Sequence, residues 1–524
     1  MPELEIDGRK VTVDVGRTLL DAARQLQIDV PTLCYHDGYP SSSSCMVCLV
    51  KDEKTGKLIP SCTAPAADGM VISASTDEVI EARRNALELL LGEHVGDCEG
   101  PCHRICPAHM EIPLMIRLIA SGRLREAASL VKRDIALPAV LGRICPAPCE
   151  KGCRRRLHDG PVSICLLKRY VADIDLASGN PWQPERQPPT GKTVAIVGAG
   201  PAGLAAAWHL AQDGHKCVVF DEHELPGGAL RLGVDTARLP HEVLDAEIDT
   251  IRSLGVRFSL GTRVGESPTL DGLANEYHAV LVAVGELTGD KAKALGLELR
   301  DRGIAVSGRS HATSREGIFA AGAAVTPTRM AVRALAGGKA AAAAINQFLS
   351  GEAVIGEPPT FNTQVGVLGE GEIDEFMKGV GDHARVEPTS YAAGFTDAEA
   401  VGEAARCVHC DCRKPSVCAL RRLSKDHRAR PQGYRGDERH PFQRVLQHAE
   451  VVYEPGKCIR CGQCVEAARR LDEPLGLAFV GRGFGLRIDA ALGASIQEAL
   501  RTSAAECVRV CPTGALAFSE GEDT

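Results

Sequence analysis

Cysteine is the residue whose number and spacing most clearly indicate chemistry in this sequence. The 524 residues include 21 cysteines, grouped as four in 34–62, seven in 98–165, four in 407–418 and five in 458–511. Grouped thiols are ligands of iron–sulfur clusters and of zinc, and no apolar leader is visible at the start. We therefore expect metal ligation and not disulfides. Cys217 stands alone inside an apolar run, which is typical of a core residue.

A second chemical signal is a glycine-rich loop between two apolar runs, 194–197 and 217–220. Gly198 permits a tight turn, Gly200 lets the backbone approach a pyrophosphate, and Gly203 lets the following helix lie close to the strand. Asp221 ends the second run and is placed to accept from a ribose hydroxyl. These features predict a dinucleotide site, whose loop is completed by Pro201 and Ala202.

Motifs further along the chain indicate which dinucleotide binds. The segments 226–231 (PGGALR), 238–240 (RLP) and 317–322 (GIFAAG) resemble the small subunit of bacterial glutamate synthase and its relatives, and the resemblance runs from about Cys98 to Phe348. It implies FAD in this first nucleotide site. It also extends the expected cofactor-binding set, which becomes Gly198, Gly200, Pro201, Ala202, Gly203, Asp221, Gly228, Arg231 and Gly322.

Two departures from that family bear on the cofactor. The family has an inserted second Rossmann unit for NADPH, whereas about thirty residues separate Gly285 from Gly317 here, too few for a βαβ unit. We therefore expect no nicotinamide site on this chain. Ala323 stands where the family usually has an acid that contacts the flavin, a loss of about 1 kcal/mol.

The first cysteine group follows two predicted short strands, 4–6 and 11–15, and a helix capped by Thr18. Its spacing, C-x10-C-x2-C-x13-C, resembles the N-terminal [2Fe–2S] domain of the iron–sulfur subunit of complex I and of related formate dehydrogenases and hydrogenases. A structural zinc site is the alternative, since zinc also takes four cysteines. The expected ligands are Cys34, Cys45, Cys48 and Cys62.

The second group, with helical sequence between its halves, resembles the two-cluster domain that precedes FAD in the glutamate synthase and dihydropyrimidine dehydrogenase families. The resemblance implies one [4Fe–4S] cluster on Cys98, Cys102 and Cys153 and another on Cys106, Cys145 and Cys149. Each lacks a fourth ligand, for which His94 and Cys165 are the candidates. A His-x3-Cys start also resembles the histidine-ligated cluster of complex I. A solvated histidine and a spare buried thiol are the alternatives for these two residues.

The last two groups extend the same chemistry. Cys407, Cys410, Cys412 and Cys418 are close enough in sequence to surround one centre, for which we expect a [4Fe–4S] cluster, with zinc as the alternative. Cys458, Cys461, Cys464 and Cys511 resemble one complete ligand set of a bacterial two-cluster ferredoxin. The second set retains only Cys507, which is therefore expected to be a non-ligand. The totals are one [2Fe–2S] cluster and three or four [4Fe–4S] clusters.

These signals predict a multidomain protein that combines α/β and α+β folds. The expected segments are a β-grasp [2Fe–2S] ferredoxin-like domain at 1–75, a helical bis-[4Fe–4S] domain at 76–175, a Rossmann-like FAD domain without the NAD(P) insert at 190–350, a connection with a Cys-rich motif at 351–430, and a bacterial ferredoxin-like domain at 440–524.

The functional expectation is an electron-transfer subunit of a larger cytoplasmic oxidoreductase, and no catalytic residue is singled out. A net charge of -8 gives no reason to expect nucleic acid, and no apolar run is long enough to insert in a membrane. The resemblances imply partners of the formate dehydrogenase, hydrogenase or complex I kind, with ferredoxin a further candidate. The alternatives are a self-sufficient NAD(P)H-dependent flavin oxidoreductase and an iron–sulfur scaffold with a decayed flavin site.

Overall fold

The computed structural model describes residues 1–287, 295–300, 303–434, 436 and 439–519. The chain forms two compact units. Unit 1 comprises Met1–Gly100, Thr360–Gly379 and Val408–Thr524, and unit 2 comprises Pro101–Pro359 and Val380–Cys407.

The helices that the structure describes are, in chain order, α1 Leu19–Gln25, α2 Asp77–Gly92, α3 Pro101–Ile105, α4 Ile112–Ala120, α5 Leu124–Asp134, α6 Pro138–Ile144, α7 Pro148–Lys151, α8 Ile164–Ala177, α9 Pro201–Gln212, α10 Ala229–Leu232, α11 His241–Ser253, α12 Leu270–Glu276, α13 Ala331–Leu349, α14 Glu372–Met377, α15 Asp397–Ala404, α16 Ala419–Asp426, α17 Gln463–Arg470, α18 Ile496–Ala499 and α19 Ala504–Val510.

The strands are β1 Glu3–Ile6, β2 Arg9–Thr12, β3 Leu49–Asp52, β4 Lys57–Pro60, β5 Val71–Ser73, β6 Thr193–Val197, β7 Lys216–Phe220, β8 Arg257–Ser259, β9 Ala279–Val282, β10 Leu299–Arg300, β11 Gly303–Ile304, β12 Ile318–Ala320, β13 Val451–Tyr453, β14 Leu477–Val480, β15 Arg487–Ala490 and β16 Leu516–Phe518.

Unit 1 begins with a five-stranded sheet in the order β2-β1-β5-β3-β4, in which β1 and β5 are parallel and the other pairs are antiparallel. The predicted helix cap is confirmed, because the Thr18 hydroxyl accepts from the Asp21 N–H and the Asp21 carboxylate accepts from the Thr18 N–H. Buried Leu4, Ile6 and Leu20 belong to the core under this sheet. The loop that carries the first three cysteines leaves this core between α1 and β3.

The C-terminal part of unit 1 pairs β13 with β16 and β14 with β15, and α17 packs against α19. Alanines at the helix contact, Ala467 and Ala468, are almost fully buried. Small side chains let the two helices approach closely, which places the segment 458–464 beside the end of α19.

Unit 2 contains a parallel sheet in the order β12-β9-β6-β7-β8. Its central strand β6 is apolar and buried, as expected for a parallel strand covered on both faces. The helices α9 and α13 pack against each other, and they form one of the closest helix pairs in the fold. The Gly338 position explains this approach, since a Cβ there would lie 2.0 Å from the Ala202 carbonyl oxygen.

The expected absence of an inserted nucleotide unit concerns the segment between β9 and β12. Part of that segment, 288–294 and 301–302, lies outside the described residues. The part that is described contains the short antiparallel pair β10–β11. Within the ranges described, no helix combines the length and apolar character needed to cross a bilayer.

Candidate functional site

The largest candidate site lies at the carboxyl end of the unit 2 sheet, where β6 leads through the glycine loop into α9. A cleft of about 1190 Å³ is lined by Gly198, Gly200, Pro201 and Ala202 of that loop. A Cβ at Gly200 would meet no protein atom within 4 Å, so this backbone faces open space. The N–H groups at the start of α9 are therefore available to an anionic ligand.

The other predicted cofactor residues divide into lining and supporting positions. Asp221 and Gly228 line the cleft. The Asp221 carboxylate accepts from the Ala199 N–H at 2.6 Å and contacts His223 Nδ1 at 2.8 Å, so it also holds the loop in place. Arg231 donates to the Pro226 carbonyl at 2.8 Å and pairs with Asp245, which makes it a support for the turn.

Two of the predicted glycines act through packing. A Cβ at Gly203 would lie 1.9 Å from the Gly198 carbonyl oxygen, and one at Gly322, where φ is +69°, would lie 2.7 Å from the Ala202 Cβ. Both therefore let backbone segments meet beneath the cleft. Ala323, where the resemblance led us to expect an acid, lines the cleft, as does the start of α13 at Met330.

The four cysteines of the N-terminal set converge on one another. The Cys34 sulfur lies within hydrogen-bonding reach of those of Cys45 and Cys62, and the Cys48 sulfur within reach of that of Cys62. Hydrogen bonding with Cys62 lowers the pKa of Cys48 to about 6. The Ser41 hydroxyl donates to the Cys62 sulfur at 3.0 Å, as donors around cluster sulfurs do.

The ferredoxin-type set surrounds a small buried cavity. Cys458, Cys461, Cys464 and Cys511 all line it. Burial raises the pKa of Cys458 to about 11, so a cluster that binds here must displace protons from the thiols. The Cys507 thiol instead donates to the Cys464 carbonyl at 3.3 Å and does not line this cavity.

A second small cavity lies in unit 2. It is lined by Cys106, Cys145, Cys149 and Cys165, which places Cys165 with the three thiols that the sequence grouped. The sulfurs of Cys145 and Cys165 lie within hydrogen-bonding reach. Lys168 also lines this cavity and is only 5% exposed. Its buried cation balances thiolate charge, and the sequence analysis did not single it out.

The chain segments that carry three further cysteines approach one another in unit 2. Cys102 lies on α3, which begins at Pro101. Gly152, the residue before Cys153, packs against this helix start, since a Cβ at Gly152 would come within 3.1 Å of the Pro101 carbonyl oxygen. Arg155 donates to the Arg406 carbonyl at 2.8 Å, which places Cys407 beside the same segment.

His94 and Cys98 lie in unit 1, in the segment that follows α2. With Cys412 and Cys418 they line a third small cavity. The structure therefore brings together donors from two sequence groups that we expected to serve different centres. Cys410, which lies three residues after the end of unit 2 at Cys407, keeps its prediction as a ligand from spacing alone.

Hydrogen bonds connect the donor sets of unit 1 in series. Gln463 Nε2 donates to the Cys34 carbonyl at 2.7 Å, and the Ser42 hydroxyl donates to the Cys461 carbonyl at 2.9 Å. These bonds join the N-terminal set to the ferredoxin-type set. The Ala419 N–H, next to Cys418, donates at 2.9 Å to the carbonyl of Pro512, next to Cys511. Consecutive sets are thus separated by a few covalent and hydrogen bonds.

In unit 2 the dinucleotide cleft adjoins a donor set in the same way. Ile144 and Pro146 line the cleft, and Cys145 between them lines the thiol cavity. On α13, Ala331 lines the cleft and Val332 lines the cavity. One chain segment and one helix start therefore contribute to both sites.

Three parts of the chain match models of known protein families. Residues 2–77 match a 2Fe-2S iron-sulfur cluster binding domain, and residues 92–180 match domain II of dihydropyrimidine dehydrogenase, a 4Fe-4S cluster domain. Residues 196–257 match an NAD(P)-binding Rossmann-like domain. The expected resemblance to iron–sulfur oxidoreductases is confirmed.

The chain is also similar to subunits of known oxidoreductases. It is 42% identical over 206 residues to the NADP(+)-dependent formate dehydrogenase subunit beta of Moorella thermoacetica, covering 35% of this chain and 29% of that protein. It is 39% identical over 209 residues to the NADPH-Fe(3+) oxidoreductase subunit beta of Geobacter sulfurreducens, covering 39% and 30%. It is 40% identical over 193 residues to the glutamate synthase [NADPH] small chain of Escherichia coli, covering 36% and 40%. The matches thus span less than half of each relative's length.

Proposed function

We propose that this chain is an FAD- and iron–sulfur-containing electron-transfer subunit of a larger oxidoreductase, which relays electrons between its clusters and its flavin. The observation that carries the proposal is that the dinucleotide cleft and a cysteine-lined cavity in unit 2 share one chain segment as part of their walls. Cys145 lines a cavity with three other cysteines, and its two neighbours in sequence line the dinucleotide cleft. A cofactor in the cleft and a cluster in the cavity would lie close enough for electron transfer.

The cleft residues fit a flavin dinucleotide. Gly200 leaves its backbone open to a pyrophosphate, and a Cβ at Gly228 would lie 2.8 Å from the Gly200 Cα, so both glycines keep the turn thin. The cleft is larger than an ordinary small-molecule pocket, in keeping with a long two-part ligand. The resemblance to the glutamate synthase small subunit favours FAD as that ligand.

The cysteine sets fit iron–sulfur clusters because thiols from several chain segments line the same small cavities. FAD exchanges two electrons and iron–sulfur clusters exchange one at a time, so a chain that holds both converts between the two kinds of transfer. In this account the protein's own residues fix the spacing of the centres, exclude water from the thiols and place buried Lys168 beside four of them. Substrate chemistry is assigned to partner subunits.

A second candidate function follows from the comparison at residues 196–257, whose family description names NAD(P). In that account the chain is a self-sufficient flavin oxidoreductase that takes hydride from NAD(P)H directly. All three relatives described above carry NADPH or NADP(+) in their names. The two functions differ in whether the isolated chain reacts with pyridine nucleotide.

The test is the cofactor content of the full chain purified without air, together with the proteins that copurify. The proposal predicts one FAD per chain, iron and sulfide in near-equal amounts, no zinc, and copurification with redox subunits. A chain with clusters but no flavin would instead indicate a scaffold with a decayed flavin site. A bound pyridine nucleotide in place of flavin would favour the second function.

A further inference from the structure

One cavity in unit 1 brings together four donor side chains from two distant parts of the sequence. His94 and Cys98 come from the segment after α2, and Cys412 and Cys418 from the segment before α16. The Cys412 N–H donates to the Cys98 carbonyl at 3.3 Å, so the two segments are joined at the cavity wall. We propose that these four residues hold one [4Fe–4S] cluster through one imidazole and three thiolates.

The donors that line the cavity support a cluster as its occupant. This cavity, the ferredoxin-type cavity and the cavity at Cys145 are each lined by four cluster-type donors. The similar lining favours the same class of occupant in each. A zinc ion is the competing occupant, since one histidine and three cysteines also suit it.

The walls around these donors are built to keep the sulfurs in place. The Cys98 sulfur lies 3.2 Å from the Thr363 hydroxyl, which also donates to the Gly96 carbonyl at 2.9 Å. A Cβ at Gly514 would lie 2.3 Å from the Cys412 sulfur, so only glycine leaves room for that sulfur. These contacts hold the Cys98 and Cys412 sulfurs in place at the cavity wall.

A buried cation accompanies the thiols. Lys457 is 2% exposed, and a Cβ at Gly514 would lie 3.7 Å from its Cδ as well as close to the Cys412 sulfur. Its ammonium group also pairs with Glu454. A positive charge at this position offsets part of the negative charge that three thiolates would bring into a buried site.

The assignment divides the predicted ligands differently from the sequence expectation. Cys98 and Cys102 would serve separate clusters, and the 407–418 run would serve two centres. The nitrogen ligand would raise the reduction potential above that of an all-cysteine cluster, as it does in Rieske centres. The inference rests on the proposed function only for the nature of the occupant, because the grouping of the side chains is independent of it.

The grouping can be tested by pairs of substitutions in the full chain, with iron content and EPR of the reduced protein measured after anaerobic purification. Cys98→Ala and Cys412→Ala should each lose about four irons, and the double variant should lose no more, because both remove the same cluster. Cys98→Ala combined with Cys102→Ala should lose about eight irons. Cys217→Ala, a buried thiol in β7, is the matched control and should lose none. Far-UV circular dichroism and flavin content check that each variant folds.

The role of His94 as a ligand is tested separately, by EPR. The reduced wild-type protein should show nitrogen hyperfine coupling to one cluster, and His94→Cys should abolish the coupling while keeping the iron. His427→Gln, at the end of α16 and away from the cavity lining, should leave the coupling unchanged.

Three results would overturn the assignment. The first is a loss of about eight irons from the double variant Cys98→Ala/Cys412→Ala. The second is a loss of only about four irons from Cys98→Ala/Cys102→Ala. The third is zinc in the wild-type protein that Cys412→Ala removes. A wild-type chain without any iron would contradict the proposed function itself, whereas iron-loaded protein with the wrong pairing would contradict only the ligand grouping.

Discussion

At the scale of single residues, the direction of a side chain decides whether a cysteine can be a ligand. Cys507 and Cys511 lie four positions apart at the end of α19. The Cys511 sulfur faces the ferredoxin-type cavity, whereas the Cys507 thiol is fully buried and donates to a backbone carbonyl. Two cysteines in neighbouring turns are therefore expected to have different roles, Cys511 as a cluster ligand and Cys507 as a non-ligand.

The first prediction compares these two thiols. Cys511→Ala should remove one cluster, a loss of about four irons per chain, because it deletes one of four ligands. Cys507→Ala should leave the iron unchanged and cost only the packing of one small side chain. Iron and sulfide analysis of both variants is the measurement, and equal iron loss in the two would show that the ligand set is wrong.

The second prediction concerns Gly200 in the dinucleotide loop. A Cβ here meets no protein atom, so Gly200→Val should fold normally but collide with a bound pyrophosphate. Bound flavin should fall by roughly tenfold or more, which corresponds to about 1.4 kcal/mol or more. Flavin released on denaturation is the readout, and Gly485→Val, at another glycine with open space in unit 1, is the control. Full flavin occupancy in Gly200→Val would place the cofactor elsewhere.

At the scale of elements, helix contacts shape the floor of the cleft. The helix α13 lies directly on α9, and this contact places the start of α13 at the cleft. Gly338→Ala should push a methyl group into the Ala202 carbonyl and destabilise unit 2 by about 1–3 kcal/mol. Gly402→Ala, at a helical glycine whose Cβ would have ordinary contacts, should be neutral or stabilising by about 0.5–1 kcal/mol.

The change in melting temperature of the two variants measures this difference. Flavin content should follow the stability of Gly338→Ala, because the displaced helices carry cleft residues. Similar melting temperatures for Gly338→Ala and Gly402→Ala would mean that the close approach of α13 to α9 does not require a glycine at position 338.

A second element contact predicts a pH dependence. Glu247 on α11 is buried, and its carboxylate accepts from the Ala139 and Val140 N–H groups at the start of α6 at 2.7 and 2.8 Å. Burial raises its pKa to about 7. The folded chain holds this proton more tightly than the unfolded chain does. Protonation of Glu247 therefore stabilises the fold fully in acid, and this contribution to stability is lost as the pH rises through 7.

The expected effect of Glu247 is a loss of up to about 2 kcal/mol of stability between pH 5.5 and pH 8. Comparing melting temperatures at pH 5.5 and pH 8 should show a smaller decrease in Glu247→Gln than in wild type. Glu242→Gln, an exposed position on the same helix, should behave like wild type. A Glu247→Gln variant with an unchanged pH profile would show that the carboxylate is ionised throughout.

At the scale of the whole molecule, local spacing in the sequence indicates candidate ligands, whereas the grouping of distant segments is visible only in the structure. Regular cysteine spacing and the glycine loop are local features, so Cys458–Cys464 and Gly198–Gly203 could be recognised without a structure. The predicted helix capped by Thr18 follows the same logic, since α1 begins at Leu19 directly after that cap. In each case short-range features of the sequence set the result.

The grouping of His94 and Cys98 with Cys412 and Cys418 could not be predicted in the same way. These residues are brought together by the pairing of two segments more than 300 positions apart in sequence, and no local pattern encodes that pairing. The run 407–418 is compact in sequence, but the boundary between the units falls directly after Cys407. Proximity along the chain was therefore a poor guide to a shared centre.

The central claim is that the chain passes electrons between partners and carries out no substrate chemistry by itself. The most direct measurement is a stepwise anaerobic titration of the purified chain, with flavin and cluster absorbance followed after NADH, NADPH and then dithionite. The account predicts no rapid bleaching with either nucleotide and full reduction of flavin and clusters by dithionite. Rapid reduction of the flavin by NADH or NADPH alone would contradict it.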